Sequence, residues 1–220
     1  PHGLEMVGGK LYFTSETNRV IARYDPAANK IDWLMGTGQN ASHMIAVSAD
    51  QKKFYTANIA SDTITAFDFQ NVPPSASRIT HIPVGKQPEA IDLSPDGKEV
   101  WTGLNADGMA EVVDTATARS VAKINIGGRP YRVKFTPDGK SVVCTMIASK
   151  ELLVIDAATR KEVKRMKLDG VPLGIVFSAD GKTAFITMVE PDSVLRIEIE
   201  KMEITGRVET GKGPDGIAVS

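Results

Sequence analysis

The stretch "QPEAIDLSPDGKEVWTGL" (Gln87–Leu104) decides how this chain folds, because the chain keeps returning to it. It comes back as "RPYRVKFTPDGKSVVCTM" from Arg129 and as "VPLGIVFSADGKTAFITM" from Val171. "SHMIAVSADQKKFYTAN" from Ser42 is the same unit with serine in place of the proline. "PHGLEMVGGKLYFTS" from Pro1 is the unit with one residue fewer before its turn, and "PDGIAVS" from Pro214 begins another copy. Aligned on the proline or its substitute, the repeats start at 1, 42, 88, 130, 172 and 214, with spacings of 41, 46, 42, 42 and 42. The long interval holds the Pro/Ser-rich insert "NVPPSASR" (Asn71–Arg78), which reads as a loop. A repeat of about 40–45 residues, built from four short strands, has the period of a β-propeller blade.

Each unit has a physical reading. A short apolar strand such as Ala90–Leu93 comes first and suits the crowded inner position of a blade. The "SPDGK" or "SADGK" turn follows, with Asp and Gly supplying the backbone freedom of a tight hairpin. The second strand is β-branched and aromatic, as in "EVWTGL" and "TAFITM". The third alternates apolar and polar residues and ends on Asp25, Asp68, Asp114 or Asp156, which an Asx turn explains without any function. The fourth is charged, as in Arg160–Lys167, and reads as a solvated outer edge where cations discourage sheet-to-sheet pairing. Trp33 and Trp101 read as inter-blade packing residues, and Met146 and Met188 as core fillers. The expected fold is all-β: one β-propeller domain over residues 1–220, with five full four-stranded antiparallel blades and the first strand of a sixth. Five blades and a strand neither close a five-blade ring nor complete six. The chain is therefore expected to be a segment of a longer propeller, able to self-associate through open blade edges.

Composition narrows the function. The 220 residues are 42% hydrophobic and 24% charged, and the formal net charge of −1 gives no phosphate-binding surface, so nucleic acid is not an expected partner. No apolar run reaches the roughly 20 residues of a membrane span. The single cysteine, Cys144, excludes an intrachain disulfide and sits in a strand-like apolar run, as an inert core thiol would. A Ser-His-Asp arrangement, a phosphate loop, a dinucleotide fingerprint, a His-x-x-x-His metal spacing and Cys-x-x-Cys-His haem attachment are all missing from the sequence.

Two positions recur once per blade near the mouth expected of a propeller channel. The residue after the proline slot reads His2, His43, Glu89, Tyr131, Leu173 and Asp215. A position late in the second strand, counted from that slot, reads Glu16, Asn58, Leu104, Met146 and Met188. Positions serving structure alone would be filled alike, and these are not. The candidate ligand-binding residues are therefore His2, Glu16, His43, Asn58, Glu89, Tyr131, Arg132 and Asp215. The basic group Arg129, Arg132 and Lys134 has two readings: it draws an anion to the mouth, or it pairs with Glu89 and Glu111.

The repeats resemble the YVTN family of bacterial and archaeal β-propellers. The segment that gives the family its name stands here as "FYTAN" (Phe54–Asn58), in worn form as "WTGLN" (Trp101–Asn105) and "FITM" (Phe185–Met188), within a G-x-x-P…SPDGK frame at Gly85–Lys98 and Gly127–Lys140. The resemblance covers essentially the whole chain. It implies a seven-bladed native ring and a periplasmic, cell-surface or secreted location, in a family many of whose members have no established reaction. The fold it implies is also similar to the haem d1 propeller of cytochrome cd1. The first blade, "PHGLEM…LYFTSETNRVIARYD", resembles repeats of the virginiamycin B lyase group, which eliminates across an ester using channel-facing His and Glu residues and a divalent metal. His2, Glu16 and His43 fall on the matching positions, although "SHMIAV" and Ala57–Asn58 depart from that group's pattern one blade later. Two readings follow. The first is a non-enzymatic exported propeller, without cofactor, that holds a protein partner or small molecule at the channel mouth. The alternative is a lyase or lactonase-like enzyme using His2, Glu16 and His43 beside a divalent ion such as Mg2+. Neither reading assigns a firm catalytic or metal-ligating residue.

Overall fold

The computed structural model describes residues 1–71 and 77–219. Most of the insert read as a loop lies at 72–76, outside the described residues, while Ser77 and Arg78 already belong to a strand. Among the described residues, twenty strands form five antiparallel sheets of four, and within each sheet spatial order follows chain order. The chain divides into two compact units, Pro1–Asp107 with Glu111–Lys123, and Gly108–Ala110 with Ile124–Ser220.

The first unit holds blade 1, β1 (Leu4–Val7), β2 (Lys10–Ser15), β3 (Val20–Asp25) and β4 (Lys30–Gly36), and blade 2, β5 (Ser42–Val47), β6 (Lys53–Asn58), β7 (Thr63–Phe69) and β8 (Ser77–Pro83). It also holds most of blade 3, β9 (Pro88–Leu93), β10 (Glu99–Leu104), β11 (Met109–Asp114) and β12 (Arg119–Asn125). The second unit holds blade 4, β13 (Pro130–Phe135), β14 (Ser141–Met146), β15 (Glu151–Asp156) and β16 (Lys161–Lys167), and blade 5, β17 (Val171–Phe177), β18 (Thr183–Val189), β19 (Ser193–Glu198) and β20 (Glu203–Glu209).

Cores lie between neighbouring blades inside each unit. Blade 1 packs on blade 2 through Tyr12, Ile21, Phe54, Phe67 and Phe69, with Trp33 set edge-on to Phe54 and Phe69. Each such aromatic pair contributes about 0.5–1.5 kcal/mol beyond its buried area. Ile64, Ala57, Ile91 and Val100 fill the space between blades 2 and 3, and Leu152, Ile186, Met188 and Leu195 that between blades 4 and 5. Trp101 is fully buried with its indole N–H donating to Glu99. Met146 and Cys144 are also fully buried, and burial pushes the Cys144 thiol up to about 12. The charged fourth strands β4, β12, β16 and β20 are largely exposed, as an outer edge requires.

The turn after the first strand has one hydrogen-bond pattern in four blades, three of them with Asp-Gly and blade 2 with Asp50-Gln51. Ser48, Ser94, Thr136 and Ser178 donate their hydroxyls to the carboxylates of Asp50, Asp96, Asp138 and Asp180 at 2.6–2.7 Å. Each carboxylate also accepts the backbone N–H two residues on, from Lys52, Lys98, Lys140 or Lys182. Gly97, Gly139 and Gly181 take the left-handed conformation in these turns. Gln51 takes it in blade 2, where its amide oxygen accepts the Tyr12 hydroxyl at 2.7 Å. Blade 1 has instead a two-residue hairpin, Gly8-Gly9, with φ of 56° and 72°, the type that matches strand twist. At the other hairpin, Asp25, Asp114 and Asp156 cap Asx turns, accepting from Ala27, Thr117 and Thr159.

The turn hydrogen bonds carry a pH signature. The Ser94 hydroxyl, followed by the N–H and ammonium of Lys98, holds the Asp96 carboxyl down at about 2 from an ordinary 3.8. Because the folded value is the lower one, this turn's contribution to stability is present above about pH 3.8 and is lost as pH falls through about 2. Carboxyl-detected NMR is expected to find Asp96 titrating near 2, and Ser94→Ala is expected to move it back toward 3.8.

Candidate functional site

In blades 2 to 5 the first strand has a β-bulge at or next to the residue after the proline slot. In blade 3, Pro88 pairs with Leu104 and Ala90 with Gly103, which leaves Glu89 as the extra residue. Tyr131 is extra in the same way between Pro130 and Arg132. In blades 2 and 5 the extra residue falls within His43–Met44 and Leu173–Gly174. A bulge re-aims a side chain that regular pleating would send to one face of the sheet. One irregularity in the first strand of each of these blades thus presents the position that sequence marks as variable.

A threonine ties one bulge to the next blade. Thr14 donates its hydroxyl to the His43 carbonyl and accepts the Gly3 N–H at 2.9 Å. Thr145 does the same between Arg132 and Leu173, at 3.1 and 2.8 Å. Thr187 repeats it between Gly174 and Asp215, with both distances 2.7 Å. The His43 carbonyl also accepts the Gly3 N–H directly, at 3.0 Å.

In the first unit this arrangement gathers side chains from three blades. The His2 and His43 rings lie 3.8 Å apart between centroids, tilted by 32°. Glu16 hydrogen-bonds Nδ1 of His43, and an oxygen of Glu89 lies 3.8 Å from its Nε2. The other Glu89 oxygen accepts the side-chain N–H of Asn105. His43, Glu89 and Asn105 are all more than nine-tenths buried. Nε2 of His2 and Oδ1 of Asn105 are buried without a hydrogen-bond partner among the described residues. Among those residues no group of three or more His, Cys, Asp or Glu side chains is disposed to hold a metal ion.

The structure corrects one alignment. Counted from the proline slot, Glu16 falls with Asn58, Leu104, Met146 and Met188. Hairpin register pairs Ser15 with Val20, as it pairs Asn58 with Thr63, Met146 with Glu151 and Met188 with Ser193. Ser15 is therefore the counterpart of those four residues. Blade 1 is two residues shorter up to this point, not one: Ser15 follows Pro1 by 14 positions, whereas Asn58 follows Ser42 by 16. Glu16 instead opens the four-residue turn after the second strand, whose last residue is left-handed at Arg19, Asp62, Gly108 and Lys150. Its counterpart in blade 3 is Asn105, which counting from the proline misses and the "WTGLN" motif contains.

The other candidates are placed differently. Asn58 is fully buried and spends its amide inside blade 2, accepting from Ser42 and Thr56 and donating to Thr63 and Thr65. It fills with hydrogen bonds the space that Met146 and Met188 fill with apolar volume. In the second unit, the Tyr131 hydroxyl donates to Asp215 at 3.2 Å, and the Arg132 guanidinium lies 4.1 Å from the Tyr131 ring centre and 3.4 Å from Asp215. Glu111 receives the Gly85 N–H and the Ser120 hydroxyl, with Lys123 at 3.7 Å.

The β-propeller fold has relatives among solved structures. The chain aligns with hydrazine synthase of Kuenenia stuttgartiensis at a TM-score of 0.72 and 18% identity, over 98% of this chain and 88% of that one. It aligns with a protein of unknown function from Desulfotomaculum acetoxidans DSM 771 at a TM-score of 0.82 and 16% identity, over 97% and 70% respectively. At these identities the likeness is one of fold. No protein-family model matches the chain, and no curated protein matches it either.

Gly3 tests the blade-to-blade tie. A Cβ there would lie 2.7 Å from the His43 carbonyl oxygen and 2.8 Å from the Met44 Cα, both backbone atoms. Gly3→Ala is expected to lower stability by about 1–3 kcal/mol in urea unfolding and to shift the His2 and His43 imidazole resonances. Gly36→Ala, which meets nothing within 4 Å, is expected to stay within about 0.5 kcal/mol and leave both rings unchanged.

Proposed function

We propose that this chain is a ligand-binding β-propeller of the YVTN type, exported to the periplasm or cell surface, that holds a small molecule or a partner's side chain at the His2–His43–Glu89 cluster. The observation that carries this reading is the meeting of His2, Glu16, His43, Glu89 and Asn105, side chains from three blades, at one end of the first strands. A purely structural repeat has no use for two adjoining imidazoles and two carboxylates at positions where blades 4 and 5 have Tyr131, Leu173, Ile147 and Val189. Rigid blades holding unlike side chains on short bulges and turns make a preformed site.

One observation favours a second reading. Glu16 on Nδ1 orients the His43 ring, which is how a carboxylate prepares an imidazole for acid–base work at its other nitrogen. In that reading His43 moves the proton in opening an ester or lactone, and His2 lies against the reacting groups.

Two assays separate these. With p-nitrophenyl acetate and γ-butyrolactone as probes, the binding reading expects no turnover above buffer. Turnover abolished by His43→Ala and by Glu16→Gln would replace it with the second reading. In imidazole 1H–15N NMR, the binding reading expects at least one of acetate, glycerol or methylammonium to shift His2 and His43 saturably. His81, which sits outside the cluster against Thr65, is expected to stay fixed. Silence of His2 and His43 to all three probes would overturn the binding reading.

A further inference from the structure

We infer that the cluster of the first unit recognises a primary ammonium group, an inference that rests on the binding reading above. The observation behind it is Asn105. The residue is 6% exposed, and its NH2 donates to Glu89, which fixes the orientation of the amide. Oδ1 is then turned away from Glu89, and it is buried with no donor among the described residues. An amide oxygen can only accept, and leaving it unsatisfied in the interior is unfavourable. Whatever completes the site must therefore bring an N–H or O–H donor to Asn105.

The rest of the cluster restricts that donor further. Nε2 of His2, also buried and unpartnered, accepts in the tautomer that has its proton on Nδ1. Glu16 and Glu89 bring two carboxylates to the same cluster, which disfavours an anion and favours a cation. An ammonium offers three donors, no acceptor and a positive charge, and so matches both demands together. A carboxylate or phosphate matches neither. A neutral hydroxyl matches the first alone. A quaternary ammonium matches the second alone.

The test uses the whole chain and follows the imidazoles of His2 and His43 and the side-chain amide of Asn105 by 1H–15N NMR. Methylammonium chloride is titrated against tetramethylammonium chloride, sodium acetate and glycerol at constant ionic strength. The expected result is a saturable shift of all three groups with methylammonium, at least tenfold weaker or undetectable with tetramethylammonium and acetate, and no shift of His81. Asn105→Leu is expected to weaken methylammonium binding tenfold or more. Glu16→Gln, at a half-exposed turn position whose loss leaves the blade cores intact, is expected to weaken it at least threefold and decides the matter if the Asn105 variant does not fold. Equal response to methylammonium and tetramethylammonium would overturn the inference in favour of a general cation effect. Response to acetate or glycerol but not methylammonium would overturn it while leaving the site in place. Response to none would mean that ordered water completes the cluster, and would overturn the binding reading with it.

Discussion

The candidate site depends on a single backbone oxygen. The carbonyl of His43 accepts both the Thr14 hydroxyl and the Gly3 N–H, and through them the first strand of blade 1 is held against the bulge of blade 2. Gly3 has no side chain because none would fit: a Cβ there would collide with the same carbonyl. With the two backbones this close, His2 has its ring against that of His43, and Glu16, one turn residue beyond the strand bearing Thr14, reaches Nδ1. The geometry of the cluster follows from that contact and from the bulge, rather than from attraction among its polar groups.

The tie recurs where a threonine stands in the second strand, at Thr145 and Thr187, and is absent where Ala57 and Gly103 replace it. In blade 3 a threonine one residue earlier, Thr102, donates to the Ala90 carbonyl of its own blade instead. The frame is thus constant in its bulges and variable in its ties, and the side chains placed on the bulges vary most. In the first unit they are ionisable and gather around His43. In the second, Tyr131, Arg132 and Asp215 make a separate set in which aromatic face, guanidinium and carboxylate satisfy one another. This division of labour, with structure in the repeat and chemistry in the exceptions, is what a propeller permits.

The blades were legible because they obey one period. A 42-residue repeat with an Asp-Gly turn fixes strand order, the apolar cores between blades and the exposure of the fourth strands, and each is found. Three of the terminal aspartates cap the expected turns. Legibility failed where blade 1 breaks the period. Its hairpin is a Gly8-Gly9 turn rather than the longer Ser-x-Asp-Gly loop, so counting forward from Pro1 misplaces everything after it by one residue. Counting aligns Glu16 with Asn58, whereas the second hairpin makes Asn105 its counterpart in blade 3. Pairing in the second hairpin, which only the backbone reveals, restores the register. Asn58 shows the opposite limit: a polar residue at a variable position reads as a ligand-binding group, yet four hydroxyls and one backbone carbonyl absorb its amide completely. Sequence shows that a polar group is present. It does not show which way its hydrogen bonds run.

The central claim is that the close approach of Gly3 to the bulge of blade 2 brings the His2 and His43 rings together. The most direct measurement is a nuclear Overhauser experiment on the ring protons of the three histidines in the unmodified chain. The account predicts a strong His2–His43 cross-peak, since the ring centres lie 3.8 Å apart, with His81 giving none to either. Separate His2 and His43 signals with no cross-peak between them would contradict it, because the site would then have no common centre.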